Sequence, residues 1–352
     1  MQLPTNQDEH NTLHLSLRFA WRNAASVANL RIQFANAITL AQIVRAIMPA
    51  SATAEQAAVM QENTMKIGVS YPTTEVAGDP DAIRKFVRAV EQLGFAHMMA
   101  YDHVVKCPHD AREPKLLGPY TEKHSFHDPF VLFGFAAAVS DRLEFVTGVL
   151  VLPQRQTALV AQQAADVDLL SRERLRLGVG IGWNYVEYQA LGQDFRTRMK
   201  RIEEQIGLLR QLWSTPVISF EGRFDRLDRA GINPRPRRQI PLWMGGYSEP
   251  AYERGARLGD GFIFAAGAAD AVAAWGRVKH HLAASGRTHA GYGRELLALF
   301  ARDSRETADH LKAWRDAGGT HGCVPSTDRG LGADIDAHID YVAEVKRYLD
   351  AG

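Results

Sequence analysis

From Met65 onward the chain repeats one pattern: a short apolar run, a turn, then a stretch whose apolar residues keep helical spacing. Residues 66–71 form the first apolar run. Runs at 96–101, 143–152, 175–181, 241–244, 261–265, 295–301 and 320–325 follow. Between the first two, Asp79-Pro80 supplies an N-cap and a proline at the first helical position. Ile83, Phe86, Val87, Val90 and Leu93 then fall on one helix face, and Gly94 stops it. Asp128-Pro129 opens the next helix in the same way, and further helices are expected over 157–170, 185–191 and 198–213. Residues 214–239 carry turn and strand signals and read as an excursion. Eight strands, each followed by a helix, predict a parallel sheet closed into a (β/α)8 TIM barrel. A doubly wound open sheet would need fewer strands and a glycine-rich phosphate turn after the first. Here that turn is Pro72-Thr73-Thr74-Glu75.

Composition supports one large core over 65–352. Hydrophobic residues make up 46% of the 352, ample for a buried barrel. Lys plus Arg total 41 against 40 Asp plus Glu, a net charge of +1, so no global field points to nucleic acid or an anionic membrane. Cys107 and Cys323 are the two cysteines, which excludes a disulfide framework and suits a reducing cytoplasm. No run approaches about 18 consecutive apolar residues, the length expected of a membrane span.

Residues 1–64 differ. Between His10 and Ala54 there are four arginines (Arg18, Arg22, Arg31 and Arg45) and no acidic residue. The segment reads as an N-terminal extension, helical or disordered, and either spurious or dispensable to the barrel. An appended helical element and a targeting segment are the alternatives. Arg31 and Arg45 interrupt any secretory apolar stretch.

In a barrel of this kind, chemistry gathers at the C-terminal strand ends. Strand two ends in Tyr101-Asp102-His103, where an imidazole can hold or release a proton near neutral pH. Asp102 is placed either to fix that imidazole or to bond the backbone. Alternatively, both residues simply open the unusually long loop 102–127, whose length marks it as functional. Strand three carries Gly148 in mid-run, followed by Val149 and Leu150, which suits a bulge or a close approach. Strand four ends in Gly178-Val179-Gly180-Ile181-Gly182-Trp183-Asn184. Alternate glycines leave one face bare for a planar ring, with Trp183 beside it to stack or to fill space. Met244-Gly245-Gly246 precedes a helix, a place that suits an anion, although a tight turn would use the same residues. No metal signature stands out. His109, His124 and His127 share the long loop at a spacing that fits no zinc motif.

Taken together, these segments resemble the bacterial luciferase-like superfamily, and more closely its branch of oxidoreductases that use the deazaflavin coenzyme F420. The resemblance is carried by Tyr101-Asp102-His103, by 143–153, by 174–184, by Gly231-Ile232-Asn233-Pro234 and by Trp243-Met244-Gly245-Gly246. It implies hydride transfer between F420 and a small organic substrate. The alternative is a two-component monooxygenase using FMN, with a separate reductase supplying reduced flavin. A homodimer is expected in either case. The family's Asp-His pattern falls on Asp102 and His103 and implies that His103 lies near the reactive ring face, with a non-proline cis peptide near Val149-Leu150 behind the ring. Gly180, Gly182 and Trp183 then run along the ring, and Met244, Gly245 and Gly246 along the cofactor tail. Two positions depart from the sugar-phosphate dehydrogenases of that branch. Cys107 stands where they place a Trp, and Trp183 where they place a Glu.

Overall fold

The computed structural model describes residues 65–76 and 78–351, so the expected extension over 1–64 lies outside the described residues. Strand β1, Lys66–Ser70, leads through α1, Pro80–Gln92, to β2, His97–Ala100. The Asp79 side chain accepts from the Asp81 N–H, and Ala82, Ile83, Phe86, Val87 and Val90 face inward, which is the apolar stripe read from sequence. Helix α2, Pro129–Ala137, is capped in the same manner by Asp128, which accepts from the N–H groups of Phe130 and Val131. Next come β3, Glu144–Thr147, β4, Leu150–Val151, α3, Thr157–Leu170, and β5, Leu175–Gly180, buried along its whole length as a parallel strand covered on both faces must be. Helix α4, Tyr185–Ala190, is short, and α5, Arg198–Ser214, is long.

The excursion at 214–239 is an antiparallel hairpin of β6, Ile218–Glu221, and β7, Arg226–Ala230. The chain then returns to the barrel with β8, Leu242–Gly245, α6, Glu249–Leu258, β9, Gly261–Ala265, and α7, Ala268–Ala284. The last elements are β10, Gly293–Leu297, α8, Ser304–Asp316, β11, His321–Val324, and α9, Ile335–Asp350. The seventh barrel strand thus starts two residues earlier than expected and stops at Leu297 rather than running on to Ala301.

All barrel pairings are parallel, in the order β3-β2-β1-β11-β10-β9-β8-β5, and β5 pairs back to β3, so the sheet closes. The barrel and its helices enclose the main core, while Met99, Tyr101, Val146, Trp243, Ile263, Leu297 and Cys323 form a second apolar cluster. No helix among the described residues is long and apolar enough to cross a membrane.

The third barrel position is two strands rather than one. Phe145 lies opposite Leu175, an offset of 30, whereas Leu150 lies opposite Val179, an offset of 29. One extra residue therefore sits between them, a bulge. Within it the Gly148–Val149 peptide is cis. The sequence reading placed that bond one residue later, at Val149–Leu150. The structure corrects it to Gly148–Val149.

Candidate functional site at the barrel mouth

Asp102 and His103 leave the C-terminal end of β2 in opposite directions. Asp102 is buried at 3% exposure and turns toward the bulged strand. Its Oδ2 accepts from the Val151 N–H at 2.9 Å and from Arg155 Nε at 3.2 Å, and its Oδ1 accepts from Arg155 Nη2 at 2.6 Å. Arg155 also donates to Asp128 Oδ2 at 2.9 Å. Burial opposes the Arg155 charge, but the two carboxylates outweigh it and raise its pKa. Of the two roles open to Asp102, the structure shows backbone and arginine bonding, with no contact to the imidazole.

The partner of His103 is Glu187. His103 Nδ1 lies 3.0 Å from Glu187 Oε2, and Glu187 Oε1 accepts from the N–H groups of Val104 and Val105. Glu187 is 1% exposed and His103 9%. Three aromatic rings surround the imidazole: Phe126 at 5.0 Å, Tyr120 at 5.4 Å and Trp183 at 5.5 Å between centroids. Nε2 makes no hydrogen bond among the described residues.

Sequence reasoning missed Glu187, although a signal was present. Asn184-Tyr185-Val186-Glu187 has the spacing of a capping box, a pattern normally assigned to helix initiation alone. Asn184 does cap α4, accepting from the N–H groups of Val186 and Glu187. The glutamate, instead of reaching back to its own helix, crosses to β2.

The glycines of β5 and β8 do not leave an empty strip. A Cβ on Gly180 would stand 2.5 Å from Val149 Cγ2, and one on Gly245 would stand 2.8 Å from Val149 Cγ1. Both glycines exist to seat Val149, which the bulge pushes toward the mouth and leaves half-buried. Gly182, with φ at +62°, passes close to Val151. Trp183 packs flat enough on the long loop that a Cβ on Gly118 would meet its ring at 2.4 Å. Leu150 and Met244 are fully buried in the layer between barrel and helices, so their side chains face away from the mouth. At the C-terminal strand ends the structure thus seats Val149 against Gly180 and Gly245 and packs Trp183 against His103, and it sends the side chains of Asp102, Leu150 and Met244 elsewhere.

A planar cofactor with a phosphate-bearing tail fits this arrangement. Val149 offers an apolar platform and His103 a polar edge. Gly245 and Gly246 lead into α6, whose N-cap Ser248 makes no side-chain cap bond; Pro250 carries no N–H and the Ala251 and Tyr252 N–H groups donate to the Ser248 carbonyl, so of the first turn the Glu249 N–H is the one without a bond among the described residues.

A family model described as luciferase-like monooxygenase matches residues 42–339. The chain belongs to the luciferase-like monooxygenase family.

Relatives of this luciferase-like protein include an uncharacterised protein of Mycobacterium tuberculosis, 32% identical over 188 residues. The match covers 52% of this chain, and the chain spans only 65% of that relative's length. An F420-dependent glucose-6-phosphate dehydrogenase of Intrasporangium calvum is 30% identical over 69% of this chain and 72% of its own. An FMNH2-dependent dimethylsulfone monooxygenase of Pseudomonas fluorescens is 32% identical over 39% of each chain. Among solved structures, an F420-dependent secondary alcohol dehydrogenase in complex with an F420-acetone adduct superposes with a TM-score of 0.64 at 17% identity, covering 81% of this chain and 99% of that one. This supports the fold.

The floor of the luciferase-like barrel carries a second polar group that the sequence reading did not single out. His97, at the start of β2, lies 2.6 Å through Nε2 from Glu295 Oε1, and both are fully buried. Arg176 donates to the other Glu295 oxygen and stacks its guanidinium 4.1 Å above the Trp243 ring. Burial alone would raise the Glu295 pKa, but Arg176 and His97 hold it well below the ordinary carboxylate range. His321, packed against Trp243, is pushed down to about 2 by burial and by the Arg176 charge. His97, Glu295 and Cys323 bring three ligand-type atoms within 4.8 Å of one another. The adjacent guanidinium repels a cation there, and burial keeps the Cys323 thiol protonated by raising its pKa.

Proposed function

We propose that this protein is an oxidoreductase that moves a hydride between coenzyme F420 and a small organic substrate, with His103 at the reaction centre. The observation that carries the reading is an imidazole at the catalytic end of the barrel, anchored through Nδ1 and with Nε2 making no hydrogen bond among the described residues, at the end where Val149 is seated on Gly180 and Gly245. The deazaflavin, when bound, supplies a two-electron carrier. The protein supplies orientation and a proton site. Val149 and Trp183 would hold the ring, while Gly245 and Gly246 would hold the tail through backbone N–H groups. The aromatic surround of Tyr120, Phe126 and Trp183 limits water at the imidazole.

The F420-dependent dehydrogenase relative spans more of this chain than the FMNH2-dependent one, and this supports F420 over FMN. The flavin reading makes the protein a monooxygenase served by a separate reductase, and a homodimer belongs to both. Titrating the full chain with oxidised F420 and with FMN, read by fluorescence quenching, separates them. Tighter binding of F420 is expected, together with F420 reduction on adding an oxidisable alcohol or sugar phosphate. Tight FMN binding without F420 binding would replace the first reading by the second.

A further inference from the structure

We propose that Glu187 is a positioning residue that fixes which nitrogen of His103 carries the proton, leaving Nε2 as the proton-accepting atom at the mouth. This rests on the reading of His103 as the reaction-centre imidazole.

An ionised carboxylate accepts hydrogen bonds and donates none. Its contact with Nδ1 therefore places a proton on Nδ1, and in a neutral ring the lone pair falls on Nε2. The same carboxylate receives the N–H groups of Val104 and Val105 through its other oxygen. Three donors from one chain segment thus converge on a side chain that is 1% exposed. Burying a carboxylate is costly unless its oxygens are satisfied, and here all the satisfaction comes from the first turn of the 102–127 loop. Tautomer and loop entry are consequently set by one group.

Among the described residues no other side chain hydrogen-bonds the imidazole. Asp102, the neighbour in sequence, is committed to Val151 and Arg155. The groups packed on the ring are Phe126, Tyr120 and Trp183, held in ring contact rather than by a hydrogen bond to the imidazole. Glu187 itself is aimed by the Asn184 cap at the start of α4, so the strand-five end dictates the protonation geometry of the strand-two end.

The test reads the tautomer directly, in the full chain without cofactor. Long-range nitrogen–proton correlation on protein labelled with 15N-histidine, at a pH where the ring is neutral, reports the protonated nitrogen. His103→Asn assigns the signal by its disappearance. The expected result is a His103 ring protonated at Nδ1 in the parent and shifted toward Nε2 protonation in Glu187→Gln. An Nε2-protonated ring in the parent would overturn the proposal, and that measurement needs no folded variant. In F420-reduction assays Glu187→Gln is expected to lower kcat by about tenfold, toward the small end of what positioned acid–base groups contribute. F420 affinity should stay within about threefold, a shift worth about half of the 1.4 kcal/mol of a tenfold change. An unchanged tautomer in Glu187→Gln, with His103→Asn inactive, removes Glu187 and leaves His103 standing. Full turnover by His103→Asn removes the reaction-centre reading itself, and the inference with it.

Discussion

His97 and His103 lie six residues apart, one at each end of β2, and each meets a glutamate. At the floor, His97 and Glu295 are 0% exposed and a third group, Arg176, neutralises the carboxylate. At the mouth, the third parties are two backbone N–H groups and a ring of neutral aromatics. At the floor both Glu295 oxygens are bonded, by His97 and Arg176, inside a sealed, low-dielectric site. Each pair leaves one imidazole nitrogen without a hydrogen bond among the described residues, Nδ1 of His97 and Nε2 of His103, but the first is sealed in the interior and the second lies at the end of the barrel where loops converge. A histidine–carboxylate pair is thus structural or chemically useful according to what completes it. A cation and burial make it a brace; backbone donors and an opening make it a proton site.

The largest difference between the two ends should appear in stability. Glu295→Gln leaves the buried Arg176 with only the more distant Glu144 carboxylate at 3.9 Å, and breaking one partner of a buried pair costs about 3–5 kcal/mol. Chemical denaturation should show that loss, with cofactor affinity of the folded fraction close to the parent's. A loss under about 1 kcal/mol would mean that the floor is not a brace. Next in size is Gly180→Ala. Its methyl would enter the space of Val149 Cγ2, and overpacking of this kind costs about 1–3 kcal/mol. Because Val149 is the platform, F420 binding should weaken together with stability. Weakened stability with unchanged binding would separate Val149 from the cofactor.

His103→Asn should reverse the pattern seen for Glu295. kcat is expected to fall at least about tenfold, equivalent to about 1.4 kcal/mol of barrel-mouth chemistry, with the melting temperature nearly unmoved. Parent-like turnover would make His103 an ordinary loop residue.

The last test is a pH dependence of stability that originates at the floor. In the unfolded chain His321 titrates near 6.5, whereas in the barrel its value is about 2, facing Arg176, His97, Glu295 and Lys66. A depressed folded value means that the unfolded state binds the proton first as pH falls. The contribution of neutral His321 is therefore complete above about 6.5 and drains away as pH falls from there toward the folded value. Glu295 acts with the same sign at lower pH, its contribution present above the ordinary carboxylate value of about 4.3 and lost below it. Melting temperature should decline steadily below pH 6.5, and His321→Asn should flatten the upper part of that decline. A parent curve that stays level to pH 5 would refute the sign.

The alternation of apolar runs and capped helices made the barrel legible, because strand burial and helix capping are local demands written in adjacent residues. Asp79, Asp128 and the apolar face of α1 behave as their positions require. The Gly148 neighbourhood was legible as a bulge, but the sequence reading set the cis bond one residue away, since a bulge's offset depends on the register of β5 against both halves of the strand. His103 could be picked out by its place at a strand end. Its partner could not: Glu187 is 84 residues away in the chain and sits in a pattern that local rules assign to a helix cap. The glycines of β5 read as room for a ring and those after β8 as a place for an anion, yet closure of the barrel seats Val149 against Gly180 and Gly245. Sequence by itself determined the elements, their order and the end of the barrel where chemistry gathers, because these follow from periodicity and chain direction. Tertiary structure alone decided which carboxylate meets which histidine and which end stays open, because ring closure brings together residues from β2, β5, β10 and β11 that no spacing along the chain relates.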